Sequence, residues 1–129
     1  MHSVLKNYLP DSNIVMGFDF GEVRIGIAIG NRITATANPL TIVTGSSNDE
    51  KFSRIEKLIT EWQPAQLVVG QPFHPDGARH EMTDRAERFS RQLHGRFGIP
   101  VALADERYTS AVTFNDAQAA AQILQQYLQ

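Results

Sequence analysis

Two runs of alternating residues, IVMGFDFG and RIGIAIGN, are joined only by the short turn around Gly21, Glu22 and Val23. This spacing constrains the fold more than any other feature of the chain. A period of two sends Met16, Phe18 and Phe20 to one face and Val15, Gly17 and Asp19 to the other, as a strand requires. A connection this short can join the runs only as an antiparallel hairpin. RITATANPLTIV offers a third strand, so the chain opens as an antiparallel meander. Asp19 then projects from one sheet face in an otherwise apolar strand.

After Gly45 the period changes. SSNDEKFSRIEKLITEWQP begins with capping residues, places Phe52, Ile55, Ile59 and Trp62 at helical spacing and stops before Pro64. AQLVVG is a short apolar run bounded by prolines and glycine, the pattern of a buried parallel strand. HPDG makes a turn into a second helix whose inner stripe is Met82, Ala86, Phe89 and Leu93 and which ends near Gly95 or Gly98. PVALAD is the last strand. A final helix buries Ala120, Ile123, Leu124 and Tyr127. The order β-β-β-α-β-α-β-α, with right-handed crossovers after the meander, predicts an α/β protein with a mixed five-stranded sheet covered by helices. That ordering resembles the ribonuclease-H-like fold.

The 129 residues suit one domain, with residues 1–13 as a loose N-terminal extension. No apolar run is long enough to cross a membrane, and Asn7, Pro10 and Asp11 interrupt any signal-peptide core, so a cytoplasmic location is expected. The chain has no cysteine, which excludes disulfides, thiolate nucleophiles and Cys-held metals. Any metal must be held by oxygen or imidazole, and His74, His80 and His94 have no ligand spacing. A net charge of −2 means that nucleic-acid binding must rest on a local patch. The candidate patch is the second helix and its entry, with Arg79, Arg85, Arg88, Arg91 and Arg96. Its bland reading is a solvated face with acidic partners. No exposed apolar stripe marks an interface, which suggests a monomer or weak homodimer.

Acids stand at three places where apolar or glycine residues would cost less: Asp19 in the first strand, the Asp105-Glu106 pair at the end of the last strand, and Asp116 at the start of the final helix. With the first strand and the last as neighbours, their carboxylates converge at one sheet edge, where open α/β sheets place their sites. Gathered carboxylates repel one another and are desolvated, so one takes a proton or a cation neutralises the group. Magnesium or manganese suits such oxygen donors, and one or two ions can serve in-line hydrolysis of a phosphodiester. From position alone, Asp19 reads more readily as a turn acid and Asp116 as a helix-start acid.

GFDFGEVRIGIAIG, LVVGQPFHPDG, HGRFGIPVALADERYTS and DAQAAAQILQQYL resemble, in order, the signature blocks of the YqgF family, also called RuvX. The resemblance covers nearly everything from Ile14 onward. It implies a ribonuclease-H fold and a nuclease maturing the 5′ end of precursor 16S ribosomal RNA, with branched DNA, the Holliday junction, as the alternative substrate. It further implies a metal-binding triad of Asp19, Glu106 and Asp116. Arg24, Arg107 and Thr109 become candidates for contacting the scissile phosphate.

Two departures stand out. Gln71 and Phe73 flank the proline of the second block, where the family has aliphatic residues. VTFN alone bridges DERYTSA and the last acid, where the family has a further helical segment and a lysine-containing loop. A non-catalytic nucleic-acid-binding module is therefore a rival reading. An ATPase of the actin and Hsp70 type, suggested by the acid-glycine hairpin, needs two such domains and does not fit in 129 residues.

Overall fold

A computed structural model describes residues 12–106 and 115–129. The elements are β1 (Ile14–Asp19), β2 (Arg24–Asn31), β3 (Thr36–Thr44), α1 (Asn48–Trp62), β4 (Gln66–Gln71), α2 (Glu81–Phe97), β5 (Val101–Asp105) and α3 (Asp116–Leu128), in the order the sequence predicts. The strands form one sheet ordered β3-β2-β1-β4-β5. β3, β2 and β1 pair antiparallel; β1, β4 and β5 pair parallel.

This order corrects one expectation. The first and last strands are not neighbours, because β4 lies between them and takes both parallel pairings. β3 also starts later than expected. Asn31 Oδ1 accepts from the backbone N–H groups of Ile33 and Thr34, and Ala35 is left-handed at φ 55°, so residues 32–35 turn before pairing resumes.

The alternation of β1 divides the core in two. Met16 and Phe18 join Ile25 and Ile27 beneath Phe52, Ile55 and Ile59 of α1 and Phe89, Leu93 and Phe97 of α2. Val15, Ala28 and Val68 face Ala120, Ile123 and Leu124 of α3. Each fully buried Leu, Ile or Phe stabilises the fold by about 1.5–3 kcal/mol, so both sheet faces matter to stability.

Local chemistry ends the helices. Ser47 Oγ accepts from Glu50 N at the start of α1, and left-handed Gln63 closes it before Pro64. His80, unassigned by sequence, is the N-cap of α2: its Nδ1 accepts from Met82 N, and Thr83 Oγ1 accepts from His80 N. Thr83 is fully buried here, whereas Met82, expected on the inner stripe, is half-buried. Gly98, at φ 72°, ends α2, and Gly95 lies within the helix. Ser12 and Asn13, expected in the N-terminal extension, are tied down: Ser12 Oγ donates to Gln63 O, and Asn13 O accepts from Arg32 N.

Candidate active site

Asp19 ends β1 on the α3 face. Opposite it lies Gly26 of β2, and the parallel register brings Gly70 of β4 alongside Ala104 of β5. Glu106 follows β5 directly, and its N–H donates to Gln71 O, continuing the ladder by one rung. Period two then sends the Glu106 side chain to the same face as Ala104 and Asp19.

The two strand glycines create the space this arrangement needs. A Cβ at Gly70 would lie 2.8 Å from Glu106 Oε2, so the carboxylate reaches across β4 toward Asp19 through the place of a missing side chain. A Cβ at Gly26 would lie 1.9 Å from the backbone oxygen of Asp116, so the first turn of α3 rests directly on β2. Glycine within a strand marks such close approaches. This was the available sequence signal: both glycines lie on the acid-bearing face, and sequence reasoning passed over their role.

The electrostatics reflect the crowding. Burial pushes the Asp19 carboxyl up to about 6, and the charge of Asp116 adds to this. Burial pushes Glu106 up to about 8, with the charges of Asp19 and then Asp105 contributing. The three acids therefore form a chain of repulsion, Glu106 to Asp19 to Asp116. The last of them has a partner, because Arg24 Nε donates to Asp116 Oδ2 over 2.7 Å. Among the described residues, no three His, Asp or Glu side chains are drawn together as a ready metal-ligand set. Arg107 and Thr109 lie outside the described residues.

The arginines expected as a patch are mostly engaged. Arg79 pairs with Asp84 and Glu87, Arg85 with Glu22, and Arg96 with Asp49 while stacking 4.1 Å over Phe52. Gln71, one of the departures, donates to Glu87 Oε2 at 2.5 Å. It thus points to the α2 side, away from the acids.

A meander leading into parallel strands, with carboxylates gathered over the carboxyl ends of β1 and β5, defines the ribonuclease-H-like class to which RuvC-type nucleases belong. Over residues 13–129 the sequence matches the model of the RuvX family, described as Holliday junction resolvase, and the chain belongs to that family. A protein of Polynucleobacter necessarius named "Putative pre-16S rRNA nuclease" is 57% identical over 103 residues, which is 80% of this chain and 70% of that protein. One of the same name from Paraburkholderia phytofirmans is 51% identical over 126 positions, covering 88% of this chain and 86% of the relative. Those 126 positions exceed the 88% of 129 residues they take in, so the relative has residues within the span that this chain lacks. Among solved structures, Thermus thermophilus RuvC bound to a Holliday junction substrate superposes with a TM-score of 0.57 at 17% identity, over 89% of this chain and 92% of that one. RuvC of the same organism in a second structure gives 0.52 at 14%, over 89% and 93%. At such identities the likeness establishes the fold. No helix among the described residues is long and apolar enough to cross a membrane.

Proposed function

We propose that this chain is a divalent-metal-dependent nuclease that hydrolyses a phosphodiester bond in precursor 16S ribosomal RNA during 5′-end maturation. The observation that carries this reading is the convergence of Asp19 and Glu106 on one face of the sheet, with both carboxyls held well above their ordinary range. A protein gains no stability from two crowded, partly desolvated acids, and a cation is what makes the arrangement useful. The donors are all hard oxygens, which suits Mg²⁺ or Mn²⁺, one ion or two. Asp19, Glu106 and Asp116 are the residues to hold it. When bound, such an ion supplies Lewis-acid polarisation of the phosphoryl oxygen and an activated water.

The remaining roles belong to the chain itself. Asp19 and Glu106 would hold such an ion in their ionised forms. Arg24 is 64% exposed at the rim and offers its guanidinium to a non-bridging phosphate oxygen. Arg107 and Thr109 are assigned to the same phosphate through the DERYT motif. The names of the relatives favour ribosomal RNA over a four-way DNA junction, since the phosphodiester chemistry is common to both and the substrates differ in shape and in the 2′-hydroxyl.

The test is cleavage of a labelled precursor 16S leader and, in parallel, a synthetic four-way DNA junction, each with manganese or with EDTA. Metal-dependent cuts in the leader that vanish in Asp19→Asn are expected. Cuts in the junction alone would move the substrate to branched DNA. Binding without any cleavage by the wild type would make the chain a binding module.

A further inference from the structure

On the opposite face of the sheet from the acids, a cavity of about 340 Å³ opens between the β1–β2 turn, the start of α1 and the first half of α2. Its apolar wall is aromatic. Phe20 and Phe89 stack with centroids 4.8 Å apart, and Phe52 lies 5.7 Å from Phe89. Its polar wall is cationic, with Lys51, Arg85 and Arg88 set against Glu22 alone, in a chain whose overall charge is −2.

Two of these cations lack a carboxylate. Lys51 is only 9% exposed, and its Nζ donates to the backbone oxygen of Glu22; no acidic side chain pairs with it among the described residues. Arg88 has no hydrogen bond or ion pair among the described residues. A nearly buried ammonium without a counter-charge is costly, and a bound anion offsets that cost. Arg85 is already paired with Glu22, which leaves Lys51 and Arg88 as the anion-binding pair.

The position of the cavity identifies the anion. Phe20 directly follows Asp19, and consecutive residues at a strand end point to opposite faces. Asp19 faces the acid site while Phe20 joins the aromatic wall, with one sheet edge between them. A chain draped over that edge places a phosphate at the acids and an adjoining nucleotide in the cavity. Aromatic wall and paired cations match a base and its phosphate.

We propose that the cavity is a nucleotide subsite of the substrate strand, with Phe20 stacking on a base and Lys51 and Arg88 holding the phosphate beside it. The subsite rests on the nuclease reading above. It sets where the strand enters, and so where along it the cut falls.

The test measures binding of fluorescein-labelled single-stranded RNA of roughly ten nucleotides by anisotropy in EDTA. The proteins are wild type, Asp19→Asn, Phe20→Leu and Arg88→Glu, each checked for folding by its melting curve. An abasic site is moved along the RNA one position at a time. At one position the wild type and Asp19→Asn should lose about ten-fold in affinity; Phe20→Leu should bind intact RNA about ten-fold more weakly and show no abasic penalty. Arg88→Glu, on an exposed position, should weaken binding and flatten its salt dependence. An Arg88→Glu protein that binds like wild type, or an abasic penalty unchanged in Phe20→Leu, overturns the subsite and leaves the nuclease reading standing. Absence of RNA binding by the wild type overturns the subsite, and the nuclease reading then stands or falls on the cleavage assay alone.

Discussion

Arg24 Nε lies 2.7 Å from Asp116 Oδ2, joining the first residue of β2 to the first turn of α3 across 92 positions of sequence. The guanidinium is the only countercharge the described residues give Asp19, Glu106 or Asp116, and it is the more open partner of the pair, Arg24 at 64% against Asp116 at 29%. An arginine there balances part of the charge that a divalent ion balances when bound. It also competes with that ion for Asp116.

Replacing Arg24 with Gln should therefore separate two effects. Manganese affinity, read by titration calorimetry, should tighten several-fold because Asp116 is released. Turnover of the RNA should fall at saturating metal because the phosphate loses a donor. The exposed ion pair is worth only about 0.5 kcal/mol, so the melting temperature should scarcely move. Unchanged metal affinity would show that the pair does not guard the site.

The raised carboxyls set a pH dependence of opposite sign to that of an ordinary salt-bridged acid. Between the unfolded values of 3.8 and 4.5 and the folded values of about 6 and about 8, the native state holds more protons than the unfolded chain. Stability therefore falls as pH rises through this range and levels off above about 8. The loss for the pair is on the order of 3 kcal/mol, given the water that still reaches both side chains. In EDTA the melting temperature should drop by several degrees from about pH 5 to about pH 8, and added manganese should restore it. A melting temperature that rises over this interval would contradict the buried-acid geometry.

Neutral isosteres should show the cost of the site to the fold. Asp19→Asn or Glu106→Gln removes a repelled, partly buried charge, so either protein should melt above wild type at pH 8 in EDTA by an amount on the order of 1–2 kcal/mol. Both should lose cleavage. Stabilisation together with lost activity, measured by calorimetry and gel assay, distinguishes a functional acid from a structural one, whose loss destabilises.

The two glycines should respond differently. At Gly70 the added methyl meets the far ends of two side chains, Ile123 Cδ1 at 2.7 Å and Glu106 Oε2 at 2.8 Å. Gly70→Ala should cost about 1 kcal/mol while displacing Glu106 and weakening metal binding. At Gly26 it meets the backbone of Asp116 at 1.9 Å, so α3 itself must move. Gly26→Ala should cost about 3 kcal/mol, visible as an earlier urea midpoint. Equal costs at the two positions would refute the distinction.

Much of the architecture was legible in the chain because it depends on neighbours in sequence. Side-chain alternation placed Asp19 opposite Met16 and Phe18, the helical stripe picked out Phe52, Ile55 and Ile59, and Pro64 marked where α1 stops. The acids themselves were legible as residues out of keeping with their surroundings, and the RuvX blocks ordered them. The roles of Gly26 and Gly70 were not, although the residues were in view, because a missing side chain reveals nothing of what fills its place.

What the sequence by itself determined is the type, order and inward face of each element, since hydrophobic period, caps and turn residues act within a few positions of one another. The tertiary structure alone decided that β4 separates β1 from β5, that Glu106 reaches Asp19 over Gly70, that Arg24 meets Asp116, and that an aromatic, cationic cavity lies behind the acid site. Those relationships join residues far apart in the chain. They arise from strand pairing and from how closely α3 packs on the sheet, and the same closure that brings the carboxylates together removes the water that would have kept their pKa values ordinary.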